Sequence, residues 1–235
     1  MELYRQVSYE LAERLTRRYS TSFSMSSRLF ASRIRPHIYA VYGMVRLADE
    51  IVDTYRGDDA LAQLDNFESA VYQACDQGYS TNPIVHAFAL TARKYGIERE
   101  LISPFFASMR MDMTTVEYDE PTYRRYIYGS AEVVGLMCLK VFVEGDEAQY
   151  GRLRDGASRL GAAYQKVNFL RDMKADHEVL GRVYFPGVDY PSFSDASKRT
   201  IEADIAADFA VAKASVQQLP STARRAVHTS VIYYE

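Results

Sequence analysis

The stretch GAAYQKVNFLRDMKAD at residues 161–176 has a helical pattern with one polar face. Steps of four, three, four and four residues place five residues on one stripe of an α-helix: Gly161, Gln165, Asn168, Asp172 and Asp176. The same period of about 3.6 residues recurs along almost the whole chain, and no segment shows the strict alternation of a half-buried strand. The sequence therefore predicts an all-α protein.

The helical pattern divides into nine segments. Twelve glycines and seven prolines are few for 235 residues, so we expect few turns and long elements. Proline at positions 83 and 121 marks two helix starts, because proline favours the first helical turn. The predicted helices cover residues 3–19, 36–56, 59–77, 83–95, 98–116, 121–143, 146–176, 197–217 and 221–235. Since no repeat or linker separates them, residues 1–235 are predicted to form one domain.

Composition and charge exclude several classes of protein. A chain with 48% hydrophobic and 25% charged residues is not disordered, and its net charge of −3 provides no general attraction for nucleic acid. No secretory signal pattern opens the sequence, and no apolar run reaches the ~20 residues that span a bilayer. Cys75 and Cys138 lack the spacing of a metal site and are predicted to be reduced thiols, which indicates a cytoplasmic protein.

A second polar stripe lies in IYAVYGMVRLADEIVD at residues 38–53. Steps of four, three and four residues place four side chains on one helix face: Tyr42, Arg46, Asp49 and Asp53. The opposite face carries five apolar residues and predicts a core seam: Val41, Met44, Ala48, Ile51 and Tyr55. Each of the two polar stripes thus contains a pair of aspartates four residues apart.

The paired aspartates favour a metal site over a purely structural role. Carboxylates four residues apart on a helix repel each other by a few tenths of a kcal/mol, so they do not stabilise the helix. Mg²⁺ binds carboxylate oxygens and keeps positions for water and phosphate oxygens. Two such pairs on facing helices would hold Mg²⁺ against a diphosphate, which Arg46 and Arg171 would also bind. The alternative is that each stripe is the solvated face of an amphipathic helix.

Four segments together resemble the squalene/phytoene synthase family, the head-to-head prenyl transferases. DEIVD at 49–53 resembles the first aspartate motif of that family, and QKVNFLRDMKAD at 165–176 with GRVYFP at 181–186 resembles the second. YSTSF at 19–23 resembles its flexible N-terminal substrate segment, and YIYGSAEVVG at 126–135 its central helix. The amino-acid sequences of these motifs are most similar to those of bacterial phytoene synthases. The resemblance implies an all-helical terpenoid-synthase fold around a central cavity.

The resemblance also implies roles for individual residues. The metal ligands would be Asp49, Asp53, Asn168, Asp172 and Asp176. Diphosphate and the rest of the substrate would be bound by Ser20, Ser22, Phe23, Arg46, Gln165, Asn168, Arg171, Arg182, Tyr184 and Tyr233. Tyr42 and Tyr128 would act with the four aspartates in catalysis. Rings of this kind stabilise cations without being consumed, and Phe23 is a third candidate for that task.

In the implied reaction, two geranylgeranyl diphosphates join to form phytoene through a cyclopropyl-carbinyl diphosphate. Mg²⁺, or Mn²⁺ in its place, would be the cofactor, and NADPH would not be needed. Two alternatives stay open. One is the use of farnesyl diphosphate to make dehydrosqualene, or squalene with NADPH. The other is a non-catalytic helical assembly factor of the same fold.

The remaining expectations concern the length of the prenyl substrate, the C-terminal end of the protein and contact with membranes. Gly135, Met137 and Leu139 are candidates for the floor of a tunnel that selects substrate length. The apolar end AVHTSVIYYE at 226–235 has no cap, which favours a truncated chain over a final helix that ends at its own C-terminus. The resemblance implies that the last helix of the family is missing. Greasy substrates are compatible with contact at a membrane surface, although no anchoring motif is present. The oligomeric state and the proton acceptor cannot be read from the sequence.

Overall fold

The computed structural model describes residues 1–55, 57–115 and 118–235, apart from the side chains at positions 21, 22, 24, 179 and 180. The α-helices are α1 Glu2–Tyr19, α2 Thr21–Ser27, α3 Arg35–Asp49, α4 Ala60–Gln77, α5 Pro83–Tyr95, α6 Arg99–Thr114, α7 Glu120–Ile127, α8 Val133–Phe142, α9 Glu147–Ala175, α10 Asp195–Val216 and α11 Ser221–Tyr234. Three π-helical turns span Glu50–Thr54, Tyr128–Glu132 and Asp176–Leu180, and a 3₁₀ turn spans Tyr190–Ser192.

The prediction of an all-α fold is confirmed, and each of the nine predicted helices has a counterpart. The predicted ends at positions 56 and 116 lie outside the described residues. The local signals behave as expected. Asn82 caps α5, because its Oδ1 accepts hydrogen bonds from the backbone N–H groups of Ile84 and Val85 at 3.0 and 3.3 Å. Gly96 ends the same helix with a φ of 68°, a conformation that glycine adopts without strain.

The structure differs from the prediction at helix α2 and at the three π turns. No helix was predicted between residues 19 and 36, but α2 forms there, and Ser20 caps it by accepting a hydrogen bond from Phe23 N at 3.2 Å. A π turn has its hydrogen bond between residues five apart and is wider than an α turn. The turn Glu50–Thr54 ends the α3 face early, so Tyr55 is extended and exposed instead of continuing the predicted core seam.

The core forms where the apolar faces of α3, α5, α6 and α8 pack together. Met44, Phe88, Phe105 and Leu136 are almost completely buried there, one from each helix. Val41 and Ala48 are buried beside Met44, which confirms those positions of the predicted seam. No helix in the described residues is long and apolar enough to cross a membrane.

Helix α9 packs closely against α8 and the second π turn, because small residues face each other there. A Cβ added to Gly135 would lie 2.8 Å from the Ala157 carbonyl oxygen, and one added to Gly161 would lie 2.6 Å from the Ala131 carbonyl oxygen. On another side of α9, the buried Lys166 donates hydrogen bonds to Asp204 and Asp208 of α10 at 2.5 and 2.7 Å. These contacts hold α9, which carries the second aspartate motif, between two neighbours.

Candidate active site

A cavity of about 630 Å³ lies between α2, α3, α8, α9, α10 and α11. Most of its wall is apolar, including Val134, Leu139 and Leu160. Gly135 and Leu139, two of the three candidates for the tunnel floor, line it. Met137 is buried and is not among the lining residues, since it points to the other side of α8. A long apolar cavity of this kind accommodates a hydrocarbon chain.

The cavity has a polar end, where the two sequence stripes meet it. Tyr42 from the α3 stripe and Gln165 and Asn168 from the α9 stripe all line the cavity. Phe23 stacks on Tyr42 with ring centroids 5.2 Å apart and an interplanar angle of 17°. Ser20 lines the wall beside them. The structure thus brings five predicted site residues together at one end of the cavity.

The first aspartate motif continues from this end along α3 into the first π turn. Asp49 is the last residue of α3, and Asp53 lies in the turn Glu50–Thr54. Burial raises the pKa of Asp49 to about 7, and the neighbouring negative charge of Asp53 contributes to the increase. Burial raises the pKa of the Tyr42 hydroxyl and the charge of Asp49 adds to the increase, so the carboxylate lies close to the cavity wall. Carboxylates that repel each other in a buried position favour the binding of a cation.

A third acidic residue, Asp112 of α6, joins this cluster and was missed by the sequence analysis. Burial raises its pKa to about 7, and Asp53 and Asp176 both contribute to the increase. Its Oδ1 accepts a hydrogen bond from the Tyr126 hydroxyl at 2.6 Å. The cluster therefore combines carboxylates from the first motif, from α6 and from the second motif. The available sequence signal was an acidic residue on the mainly apolar face of α6 that includes Phe105 and Ser108.

The second aspartate motif occupies the end of α9 and the third π turn. Asp172 accepts two hydrogen bonds from the guanidinium group of Arg171, at 2.8 and 2.6 Å. Asp176 begins the turn Asp176–Leu180, and burial raises its pKa, helped by the charges of Asp172 and Asp53. The shared effect of Asp53 on Asp112 and Asp176 shows that the two motifs approach each other at this point.

Three arginines predicted to bind diphosphate are engaged by carboxylates in this structure. Arg46 pairs with Glu50, lies 3.9 Å from Asp49 and has its cation over the Tyr19 ring. Its Nε is buried without a hydrogen-bond partner. Arg182 donates to the backbone carbonyl of Asp112 and lies 3.6 Å from its carboxylate. Arg171 pairs with Asp172, as described above. The arginines surround the acidic cluster and partly offset its charge.

The remaining predicted residues are distributed more widely. Tyr184 is buried and stacks on Phe169 with ring centroids 4.0 Å apart. Tyr233 lines the cavity, although 68% of the side chain is exposed. Tyr128 is partly buried against the core, is not among the cavity-lining residues, and is close enough to Tyr150 to affect its pKa. The side chain of Ser22 lies outside the described residues.

The donor set of the acidic cluster fits Mg²⁺. Asp49 and Asp53 provide carboxylate oxygens, and Asn168 Oδ1 is buried without a hydrogen-bond partner. No three acidic, histidine or cysteine side chains of the described residues form a ready-made metal site. Mg²⁺ does not require one, because it is usually held by one or two carboxylates together with waters and substrate phosphates.

Fold and site together define a helical protein with an apolar cavity and a group of carboxylates near one end of it. The sequence profile of the squalene/phytoene synthase family matches residues 16–235, and the chain belongs to that family.

Individual relatives agree with this assignment. The chain is 29% identical to a phytoene synthase of Arthrospira platensis. The matched region covers 81% of this chain and 64% of the relative. It is 25% identical to a 4,4'-diapophytoene synthase of Staphylococcus haemolyticus, over 86% of the chain and 70% of the relative. The structure of squalene synthase HpnC from Alicyclobacillus acidocaldarius superposes with a TM-score of 0.85 at 25% identity, covering 99% of this chain and 92% of that one. The chain spans 64% and 70% of the length of these two curated relatives and 40–57% of the length of six others that it matches.

Proposed function

We propose that this protein is a Mg²⁺-dependent prenyl transferase that joins two geranylgeranyl diphosphates head to head to form phytoene. The observation that carries the proposal is the meeting of an apolar cavity with an acidic cluster at Tyr42 and Asn168. Such a site matches a ligand with a greasy tail and a diphosphate head. The phytoene synthase relative favours the C20 substrate.

At the head of the substrate, Asp49 and Asp53 on one side and Asn168, Asp172 and Asp176 on the other would hold the metal. Bound Mg²⁺ supplies neutralisation of the negative charge that develops on the departing diphosphate. Arg46, Arg171 and Arg182 would donate hydrogen bonds to the outer phosphate oxygens after exchanging their present carboxylate partners.

In the cavity, the stacked rings of Phe23 and Tyr42 face the point where the allylic C–O bond would break. Their π faces stabilise the cation that results, and the apolar wall excludes the water that would capture it. The cation then alkylates the double bond of the second substrate, and the new cation loses a proton from C1 of that substrate as the three-membered ring closes to the cyclopropyl-carbinyl diphosphate. A second ionisation, rearrangement and loss of a proton give phytoene without a reductant.

The second candidate is the same chemistry on farnesyl diphosphate, which gives dehydrosqualene, or squalene with NADPH. The 4,4'-diapophytoene synthase relative favours it. A non-catalytic assembly factor is disfavoured, because all four aspartates of the two motifs are present.

One assay separates the candidates. Purified protein with Mg²⁺ is incubated with geranylgeranyl or farnesyl diphosphate, with and without NADPH, and the hydrocarbons are analysed by mass spectrometry. We expect a C40 hydrocarbon from the C20 substrate without NADPH. A faster reaction of the C15 substrate would support the second candidate, and no product from either substrate would reject both.

Asp49→Asn tests the metal assignment. Because the amide lacks the charge that a cation requires, we expect turnover to fall at least a hundredfold. The helical circular dichroism should be unchanged, since burial of the charged Asp49 does not stabilise the fold. Asp155→Asn, at an exposed position of α9, is the matched control. Wild-type turnover in Asp49→Asn would show that Asp49 is not a metal ligand.

A further inference from the structure

The end of the cavity opposite the aspartates is closed by two aromatic rings. Phe30, which follows α2, and Phe142, the last residue of α8, both line the cavity. Their rings stack with centroids 5.2 Å apart and an interplanar angle of 24°. Both side chains are buried, so the pair forms part of the wall and not of an opening to solvent.

The pair lies at a fixed depth below the reactive end. Ser130, Val134, Cys138 and Phe142 line the cavity at intervals of four residues along the second π turn and α8. Ser130 is close to the polar end, and Phe142 lies about 18 Å further along the helix axis. On the antiparallel α9, the lining runs from Asn168 to Leu153 over a similar length. A tail anchored by its diphosphate would therefore reach Phe142 after passing three helical turns.

The backbone around both rings is held by specific contacts. The carbonyl oxygen of Phe30 accepts hydrogen bonds from Arg35 Nε and Nη2 at 3.2 and 2.8 Å. The next residue, Ala31, donates its N–H to the Thr222 carbonyl at 2.9 Å. Near Phe142, the Glu144 carboxylate accepts three hydrogen bonds from Arg33 Nε and Nη2, which joins the two segments that carry the rings. These contacts connect the backbone segments that carry the two rings.

We propose that the Phe30–Phe142 pair sets the maximum length of prenyl chain that the protein accepts. The inference rests on the proposed function, because it takes the ligand to be a prenyl diphosphate anchored at the aspartates. A chain one isoprene unit longer than the cavity must displace a closely packed ring, which costs free energy. A smaller residue at either position removes this obstacle.

The test replaces each ring by leucine and compares C15, C20 and C25 prenyl diphosphates. Phe30→Leu and Phe142→Leu should raise the kcat/KM for the C25 substrate relative to the C20 substrate by at least tenfold. Phe88→Leu removes an equally buried ring that does not line the cavity and should leave the ratio unchanged. Cys138→Phe adds bulk one turn nearer the polar end and should shift preference towards the C15 substrate.

A binding measurement tests the proposed length limit independently of the proposed prenyl transferase activity. Unreactive thiolo-diphosphate analogues of the three chain lengths are titrated into each variant with Mg²⁺ by calorimetry. If no substrate is turned over, the proposed function fails, but a tenfold relative gain in affinity for the C25 analogue in the leucine variants still supports the length limit. Folded leucine variants that keep the wild-type length preference overturn it. If the leucine variants do not fold, an unchanged preference in Cys138→Phe overturns it.

Discussion

Asp112 shows how much a single residue depends on its surroundings. In sequence it is one acid on α6 with no partner at a recognisable spacing. In the structure Asp112 accepts a hydrogen bond from Tyr126 and lies 3.6 Å from Arg182. The negative charges of Asp53 and Asp176 add to the increase that burial causes in its pKa. The residues that surround it come from three separate parts of the chain: Asp53, Tyr126, and the turn with Asp176 and Arg182. Only the packed fold brings them together.

The pKa of Asp112 predicts a pH dependence of stability. It is raised from 3.8 to about 7, so the folded protein binds this proton more tightly than the unfolded chain does. In the metal-free protein, Asp112 therefore lowers the stability as the pH rises from roughly 4 to 7. Asp112→Asn removes this contribution, and its melting temperature should fall less between pH 5 and pH 8 than that of the wild type.

The measurement is thermal unfolding in the presence of a chelator, followed by circular dichroism. Asp155→Asn serves again as the exposed control and should follow the wild type. Parallel pH profiles for Asp112→Asn and the wild type would contradict the raised pKa.

At the scale of elements, the three π turns coincide with the ends of the functional helices. One carries Asp53, one carries Tyr128 and one begins at Asp176. A π turn has its hydrogen bond between residues five apart, and it redirects the side chains that follow. The four-residue spacing of the aspartates correctly predicted a common stripe up to Asp49 and Asp172. Beyond those residues the wider π turns set the directions of the side chains. The α-helical period of about 3.6 residues therefore does not predict the directions of Asp53 and Asp176.

The close approach of α8 and α9 predicts different effects for two glycines of the same helix. A Cβ at Gly161 would lie 2.6 Å from a backbone oxygen, whereas one at Gly151 would meet nothing within 4 Å. Gly161→Ala should therefore destabilise the protein by about 1–3 kcal/mol, as overpacking does. Gly151→Ala should stabilise it by about 1 kcal/mol, because alanine is the better helix former. Urea unfolding measures both, and equal effects would show that the helices separate easily.

For the whole molecule, the distribution of charge matters more than its sum. The net charge of −3 excludes a general attraction for anions, and the structure concentrates carboxylates at one end of an apolar cavity. An anionic head group is then repelled unless Mg²⁺ accompanies it. Arginines 46, 171 and 182 reduce this repulsion locally but are already paired with carboxylates.

This arrangement predicts that metal and diphosphate bind together. Each alone should raise the melting temperature little, whereas Mg²⁺ with an unreactive prenyl diphosphate analogue at 100 times its Kd should add ~2.7 kcal/mol of stability. Differential scanning fluorimetry with each component and with both provides the measurement. An equal shift from the analogue alone would show that the head group is held by the arginines without metal.

The sequence by itself determined the helical fold, the two polar stripes and the residues that mark the family, because these depend on spacing along single helices. Gln165 and Asn168, predicted on one stripe, do line one cavity with Tyr42. Only the tertiary structure decided which carboxylates interact electrostatically and that Asp112 is one of them. It also decided that Phe30 and Phe142 stack in the cavity wall. Those properties arise from contacts between distant segments, and helical periodicity contains no information about how separate helices pack.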